Sequence, residues 1–421
     1  MVVLAVNSGS SSLKFKVVEV NGEGKSAARD GVRIHYDGAI ERLGEAATAT
    51  LRLDGVTLAS ATQNIPTHTE AVRWMLDALK QSGGAKEASS KIEAIGHRVV
   101  HGGERFQCPV VIDESVAREI DRLADLAPLH NPGCLAGIRG ARDVVGGTVP
   151  MVAVFDTAFH RHLSPKAATY AIDLDVARKH GIKRYGFHGI AHASLLAAYA
   201  AAVGRPPDHV RIITLQLGNG CSAAAIDRGR SVDTSMGFTP LEGLVMGTRS
   251  GDLDPALVGY LARCESLSAG EVEQWLNMRS GLLGLSGLSH DMRTVLAAAE
   301  REPTSRAALA VEVFCYRVKK YIGAYLAALG GAEAVVFGGG IGERAPQIRA
   351  RICADMAWCG MRLDPARNET TTDLLPGEAA RLSDDRATLP VFAAGVDEEV
   401  EIARSAVKCL RARPEAEGEA R

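Results

Sequence analysis

Long apolar runs are missing from this 421-residue sequence. No stretch approaches the roughly 18 uninterrupted apolar residues that a membrane helix needs. Net charge is nearly missing too: 48 Lys and Arg stand against 50 Asp and Glu, a formal charge of -2. That balance gives no electrostatic footprint for nucleic acid or an anionic membrane, so any anion must be held by local positive sites. Neither nucleic acid nor membrane is expected as a partner. The cysteines (Cys108, Cys134, Cys221, Cys264, Cys315, Cys353, Cys359 and Cys409) form no C-x-x-C pair and no zinc-like grouping with histidine. They read as scattered thiols of a reducing compartment, with no disulfide expected. The opening apolar run of about six residues lacks a basic segment and a small-residue cleavage site, so no secretory leader is expected and the cytoplasm is.

The familiar phosphate and hydrolase signatures are also absent. No G-x-x-x-x-G-K-[ST] occurs, GGGIGE (338–343) does not match G-x-G-x-x-G, and no G-x-S-x-G elbow appears. A P-loop NTPase, a Rossmann dinucleotide site and a serine hydrolase are therefore disfavoured.

What is present is an alternation of strand-like and helix-like runs, the pattern of an α/β protein, in a chain long enough for two domains. Asp54-Gly55 marks a hairpin, and Thr67 with Glu70 stands in capping-box spacing before an apolar helical face of Val72, Met75, Leu76 and Leu79. A strand is expected around KIEAIGHRVV (91–100), helices after Asp113 and Cys134, a strand at 151–155, a helical region at 304–329, and strands entering 338 and 395. The polar tail PEAEGEAR is expected to fray. The opening strand, small-residue turn and strand (MVVLAVNSGSSSLKFKVVEV) return as RIITLQLGNGCSAAAIDRGRSV (211–232), which points to an internal repeat.

Three glycine turns each follow a strand: Gly9 with its serines, LGNGCS (217–222) and GGGIGE. Backbone N–H groups exposed by such turns bind phosphate oxygens, and three together favour a nucleotide over turns that only redirect the chain. Arg98 and His101 close one strand, Asp156 another, His188 lies between Phe187 and Gly189, and Arg249 sits in a loop with two aspartates. Each alone reads as a structural or solvated group; the ensemble suits carboxylate and phosphoryl oxygens. Asp156, Asp397 and Glu398 are candidates to hold Mg²⁺, which takes only one or two protein oxygens. Helix N-terminal charge is the alternative for the Asp397–Glu399 run.

The segments NSGSSSLKF (7–15), GHRVVHGG (96–103), APLHNP (127–132), VFDTAFH (154–160), YGFHGIAH (185–192), LGNG (217–220), FTPLEGLVMGTRSGDLDP (238–255), HDMR (290–293), GGIGE (339–343) and DEE (397–399) carry a resemblance. Across nearly the whole chain the sequence resembles the acetate kinase family, in the superfamily of acetate and sugar kinases, Hsp70 and actin. The resemblance implies an α/β fold of two duplicated actin/Hsp70-like, ribonuclease H-like domains with an ATP cleft between them. Domain I would comprise 1–156 and 396–421 and domain II 157–395, closing on each other over the ligands. It further implies ATP as phosphoryl donor, Mg²⁺ (Mn²⁺ possible) as cofactor, acetate as acceptor, and a homodimer.

Carried over by position, Asn7 and Glu398 would serve the metal. Ser10, Ser12 and Lys14 would form one phosphate clamp, and Leu217, Gly218, Asn219 and Gly220 the other. Asp291, Met292 and Arg293 with Gly339, Gly340, Ile341, Gly342 and Glu343 would hold adenosine and its phosphates. Arg98, Asp156, His188 and Arg249 would be catalytic, with Arg98 also binding the carboxylate. Val100, Leu129, Phe187 and Pro240 would line the acyl pocket. Gln216, Ala191, Asp397 and Arg344 depart from the family's usual His, Ser, Asn and Asn. Since the acceptor is already ionised, direct in-line transfer is expected rather than a phosphoenzyme on Glu398. Propionate or a longer acid, and an ATP-driven binding protein of the same fold, are the alternatives.

Overall fold

The computed structural model describes residues 1–9, 12–21, 31–81, 92–128 and 130–412. The frayed tail expected beyond 412 lies outside them. The chain divides into two compact units, Met1–Ala158 with the chain from Glu398 on, and Phe159–Asp397.

The first unit is built on an eight-stranded sheet. Strands β1 (Val2–Ser8) and β2 (Ser12–Val20) form a hairpin, β3 (Val32–Glu41), β4 (Ala46–Leu53) and β5 (Val56–Asn64) extend it antiparallel, and β6 (Ala94–Val99), β7 (Val110–Val111) and β8 (Met151–Phe155) complete it. Their order is β5-β4-β3-β2-β1-β6-β8-β7, with β1, β6 and β8 parallel. Val3 to Val6 are all 0% exposed because β1 is central and covered on both faces. Gly96 and His97 show the two covers, since neighbouring strand residues point to opposite faces. A Cβ on Gly96 would lie 2.7 Å from Ile402 of the final helix, Glu398–Arg411. His97 faces the side of Arg142, on the helix Asn131–Val145.

The second unit repeats the arrangement. Strands β9 (Arg211–Leu217), β10 (Cys221–Asp227), β11 (Arg230–Thr234), β12 (Ala334–Gly338), β13 (Ala379–Arg381) and β14 (Val391–Ala394) lie in the order β11-β10-β9-β12-β14-β13. As β1 pairs antiparallel with β2 and parallel with β6, so β9 pairs antiparallel with β10 and parallel with β12. The five-strand core β3-β2-β1-β6-β8 thus has its copy in β11-β10-β9-β12-β14.

Several expected elements differ at their ends. The helix expected after Cys134 begins at Asn131, with Pro132 in its first turn, where a missing N–H costs nothing. The helical region from 304 starts at Arg306, because the Ser305 side chain accepts from Ala308 N and caps it. At the capping box Thr67 Oγ1 accepts from Glu70 N, as expected, but its hydroxyl also donates to the Glu70 carboxylate.

His97 is 1% exposed, and burial, with Arg142 adding to it, lowers its pKa to about 3. The unfolded chain takes this proton near pH 6.5 and the folded chain only near pH 3, so acidification through that window costs stability. Replacing His97 by Leu should flatten the fall in unfolding free energy by about 1.4 kcal/mol per pH unit. Urea unfolding at stepped pH measures this; parallel slopes for parent and variant would mean that folded His97 carries a proton.

Candidate active site

In the first unit the parallel pairing of β1, β6 and β8 brings three strand ends to one edge of the sheet, where ligands of α/β folds bind. Asn7 and Arg98 each stand one residue before the end of β1 and β6, and Asp156 follows β8 directly. Their side chains form one chain of bonds. Arg98 Nε and Nη2 donate to Asp156 Oδ2 at 3.0 and 2.6 Å, Arg98 Nη1 donates to Asn7 Oδ1 at 3.0 Å, and Asn7 Nδ2 donates to Glu398 Oε2 at 2.8 Å. Glu398 opens the final helix, where its charge meets the positive end of the helix dipole. Asp156 is 1% exposed, so its carboxylate depends on this guanidinium. Burial disfavours the Arg98 charge, but Asp156 and Glu398 outweigh it and hold the guanidinium above its ordinary range. Asp156 Oδ1 is buried without a hydrogen-bond partner among the described residues.

Of the remaining first-unit residues, Ser12 closes the hairpin by accepting from Gly9 N with its carbonyl at 2.8 Å. Lys14 is exposed opposite Asn7, and Val100 is buried just past β6. Ser10 and Leu129 lie outside the described residues.

The second unit brings His188, Arg249 and the LGNG turn together. A Cβ on Gly220 would lie 3.1 Å from His188 Cε1 and Nε2 and 3.6 Å from Arg249 Nη1, so imidazole and guanidinium meet over bare backbone. His188 has φ +56, a strained conformation for a residue with a Cβ, just before the helix Gly189–Ala202. Its Nδ1 is 2.9 Å from Ser222 Oγ. The Arg249 loop is clamped by backbone: Gly247 N donates to Asn219 O at 2.8 Å, and Leu282 N and Leu283 N donate to Met246 O and Gly247 O. Arg249 Nη1 donates to Pro240 O at 3.4 Å, which places that acyl-pocket candidate beside it. Phe187 is buried, and its carbonyl is hydrogen-bonded to His160 Nε2 at 3.0 Å.

Where the sequence suggests a glycine turn, the chain after β12 forms a short helix, Gly339–Arg344. Because β12 lies parallel to β9, this helix starts beside LGNG; a Cβ on Gly339 would lie 2.6 Å from Leu217 O. Glu343 commits one carboxylate oxygen within the unit, since Oε1 accepts from Gly339 N and Val396 N. Asp291 caps the helix Met292–Arg301 and pairs with Arg293, so this corner is held by bonds within itself. Gln216, at the departure before LGNG, keeps Oε1 buried without a hydrogen-bond partner among the described residues.

Residues 2–404 match the model of the Acetokinase family. The chain belongs to this family. It is 46% identical over 419 residues to an acetate kinase of Solibacter usitatus, covering 98% of this chain and 99% of that protein. Among solved structures it superposes on an acetate kinase of Porphyromonas gingivalis with TM-score 0.85 at 37% identity, covering 97% and 99% of the two chains. A propionate kinase of Francisella tularensis superposes with TM-score 0.86 at 34% identity over the same shares. Membership makes the chain a phosphotransferase with a carboxyl acceptor. The alternative of an ATP-driven binding protein gives way.

The sequence reading missed the shell behind these groups. His192, Ser222 and Thr214 stand behind His188, and the signal was available: His192 is four residues on, in the helix that His188 precedes, and Thr214 and Ser222 interrupt apolar strands. Arg349 gave no signal. It is 0% exposed, and its guanidinium donates to the carbonyls of Gly342, Glu343, Asn368 and Thr371 and to Asn368 Oδ1, which pins the far end of the GGIGE segment. Burial lowers its pKa to about 10. Arg349→Met strands these acceptors and should lower unfolding stability by roughly 3 kcal/mol, with Arg349→Lys between. Chemical denaturation checks this, and an unchanged midpoint would mean that solvent reaches the carbonyls.

Proposed function

We propose that this chain reversibly transfers the γ-phosphoryl group of ATP to acetate, giving acetyl phosphate and ADP. The observation that carries the reading is the meeting of His188 and Arg249 over Gly220, beside two glycine-rich segments, in a chain related to acetate kinases. A carboxylate acceptor is ionised well below neutral pH, so its oxygen attacks phosphorus without a general base. The new O–P bond forms as the bond from phosphorus to the ADP oxygen breaks, and no proton moves. What the site must supply is alignment and charge. Arg98 and Arg249 neutralise the acceptor and the transferring group, and His188 donates to an equatorial oxygen. Asp156 holds Arg98 in place, as its two hydrogen bonds to that guanidinium suggest.

The LGNG and GGGIGE segments offer backbone N–H groups to the nucleotide phosphates, and Ser12 and Lys14 are read as a second phosphate clamp. Glu398 and Asn7, with the unpartnered Asp156 Oδ1 nearby, are hard oxygen donors that suit Mg²⁺ or Mn²⁺. When bound, the ion offsets phosphate charge. We take the working form to be a cytoplasmic homodimer, as the family resemblance implies. Val100, Phe187 and Pro240 are the described residues assigned to the acyl group in this reading. The likeness to a propionate kinase makes propionate the second candidate acceptor, because one methylene is worth only about 1 to 3 kcal/mol.

Incubation with ATP, Mg²⁺, a series of short carboxylates and hydroxylamine should yield the acyl hydroxamate from acetate in preference to propionate. ADP released equally fast without any carboxylate would sink the proposal. Arg249→Ala should reduce kcat by about 10³-fold while ATP still binds within about twofold of the parent affinity. Loss of ATP binding by calorimetry would instead assign Arg249 to the nucleotide.

A further inference from the structure

Behind His188 a line of hydrogen bonds runs into the core of the second unit. His188 Nδ1 lies 2.9 Å from Ser222 Oγ, Ser222 Oγ lies 2.9 Å from His192 Nε2, and His192 Nδ1 lies 2.8 Å from Thr214 Oγ1. His192, Ser222 and Thr214 are each 0% exposed. Burial, with His160 and His188 close by, lowers the His192 pKa well below its ordinary value, so its ring is neutral and has one N–H and one bare nitrogen.

If Ser222 accepted from both rings its own buried proton would have no acceptor among the described residues, so it bridges them, and protons can then be placed along this line in two ways. In the first, Thr214 donates to His192 Nδ1, His192 Nε2–H donates to Ser222, and Ser222 donates to His188 Nδ1. Every buried hydroxyl proton then has an acceptor, and neutral His188 carries its own proton on Nε2, the nitrogen beside Gly220 and Arg249. In the second, His188 Nδ1–H donates to Ser222, Ser222 to His192 Nε2, and His192 Nδ1–H to Thr214. The Thr214 hydroxyl proton is then left without an acceptor, since His192 is the one side-chain hydrogen-bond partner of Thr214 Oγ1 among the described residues. Buried polar groups avoid that outcome.

We propose that Thr214, His192 and Ser222 are positioning residues that fix His188 as the Nε2–H tautomer, with its donor facing the Gly220–Arg249 corner. The consequence for turnover rests on the reading that His188 donates to the transferring phosphoryl group. A bare Nε2 would turn a lone pair on that group's oxygens in place of a donor. A histidine held in the wrong tautomer keeps its position and loses its function.

Nitrogen-15 spectra of the full chain, labelled in histidine and recorded at about pH 8.5, read the tautomer directly, because ring nitrogens with and without a proton resonate far apart. The His188 signals are those lost in His188→Gln. In the parent, His188 Nε2 should be protonated and Nδ1 bare. Ser222→Ala and Thr214→Val, both close in size to the parent residue, should raise the Nδ1-protonated population. Ser222→Ala should also lower kcat about tenfold with ATP affinity kept, and Ser222→Thr, which restores a hydroxyl, should recover it. A bare Nε2 in the parent, or a His188 spectrum unmoved in both variants, would overturn the proposal. A shifted tautomer with unchanged kcat would uphold the relay and refute instead the role given to His188 in transfer.

Discussion

A carboxylate that is 1% exposed must be answered by a positive charge, and in the first unit Asp156 is answered by Arg98. Leaving a buried charge unpaired costs about 3 to 5 kcal/mol, so this pair constrains everything around it. Arg98 can reach Asp156 only because β6 and β8 run parallel and end together, and it has a donor left for Asn7 only because β1 ends there too. Asn7 passes the connection to Glu398, which brings in the final helix from the other end of the sequence. Three strand ends and one helix start are thus located by four polar side chains.

The second unit puts the same sheet edge to a different use. Strand β9 ends in a glycine turn and β12 in the glycine-rich start of the helix Gly339–Arg344 rather than in charged side chains, so the edge offers backbone donors instead. Close approach is the requirement there, as the contacts a Cβ would make at Gly220 and Gly339 show. The charged groups of this unit arrive on separate segments: His188 ahead of a helix and Arg249 in a loop stapled by the helix Gly281–Ser286. Duplication supplied two equivalent edges, and divergence at their rims gave one to ion pairing and the other to backbone donation.

The sequence made these rims legible because their chemistry is local. A strand that stops near Asn7, Asp156 or Gly218 announces its end within a few residues, and small donors clustered at a turn are visible without any partner. The duplicated core was legible for the same reason, through two hairpins of similar make. The strand β3 went unread: its alternation is interrupted by Gly38, which is there because the Phe15 ring and Thr50 O leave no room for a Cβ. Arg349 could not have been read, since its acceptors are carbonyls up to 22 residues away and a lone arginine in a helix looks solvated. The tie from Glu343 Oε1 to Val396 N was equally illegible, since the two residues stand 53 positions apart.

The histidines of the two units share one physical constraint. His97 and His160 are buried, with pKa values lowered by burial to about 3 and about 4, and His192 is driven in the same direction. None of these rings can take up a proton near neutral pH, which would disqualify them as bases. For a reaction whose acceptor arrives already ionised, nothing is lost by that. A neutral ring still has direction, with one nitrogen giving a hydrogen bond and the other receiving one, and burial protects that direction from protonation. His160 uses it between Ser231 Oγ and Phe187 O, and His192 between Thr214 and Ser222, both beneath the residue that faces Gly220. Neutral imidazoles in the core therefore suit a site that must orient a donor and need not move a proton.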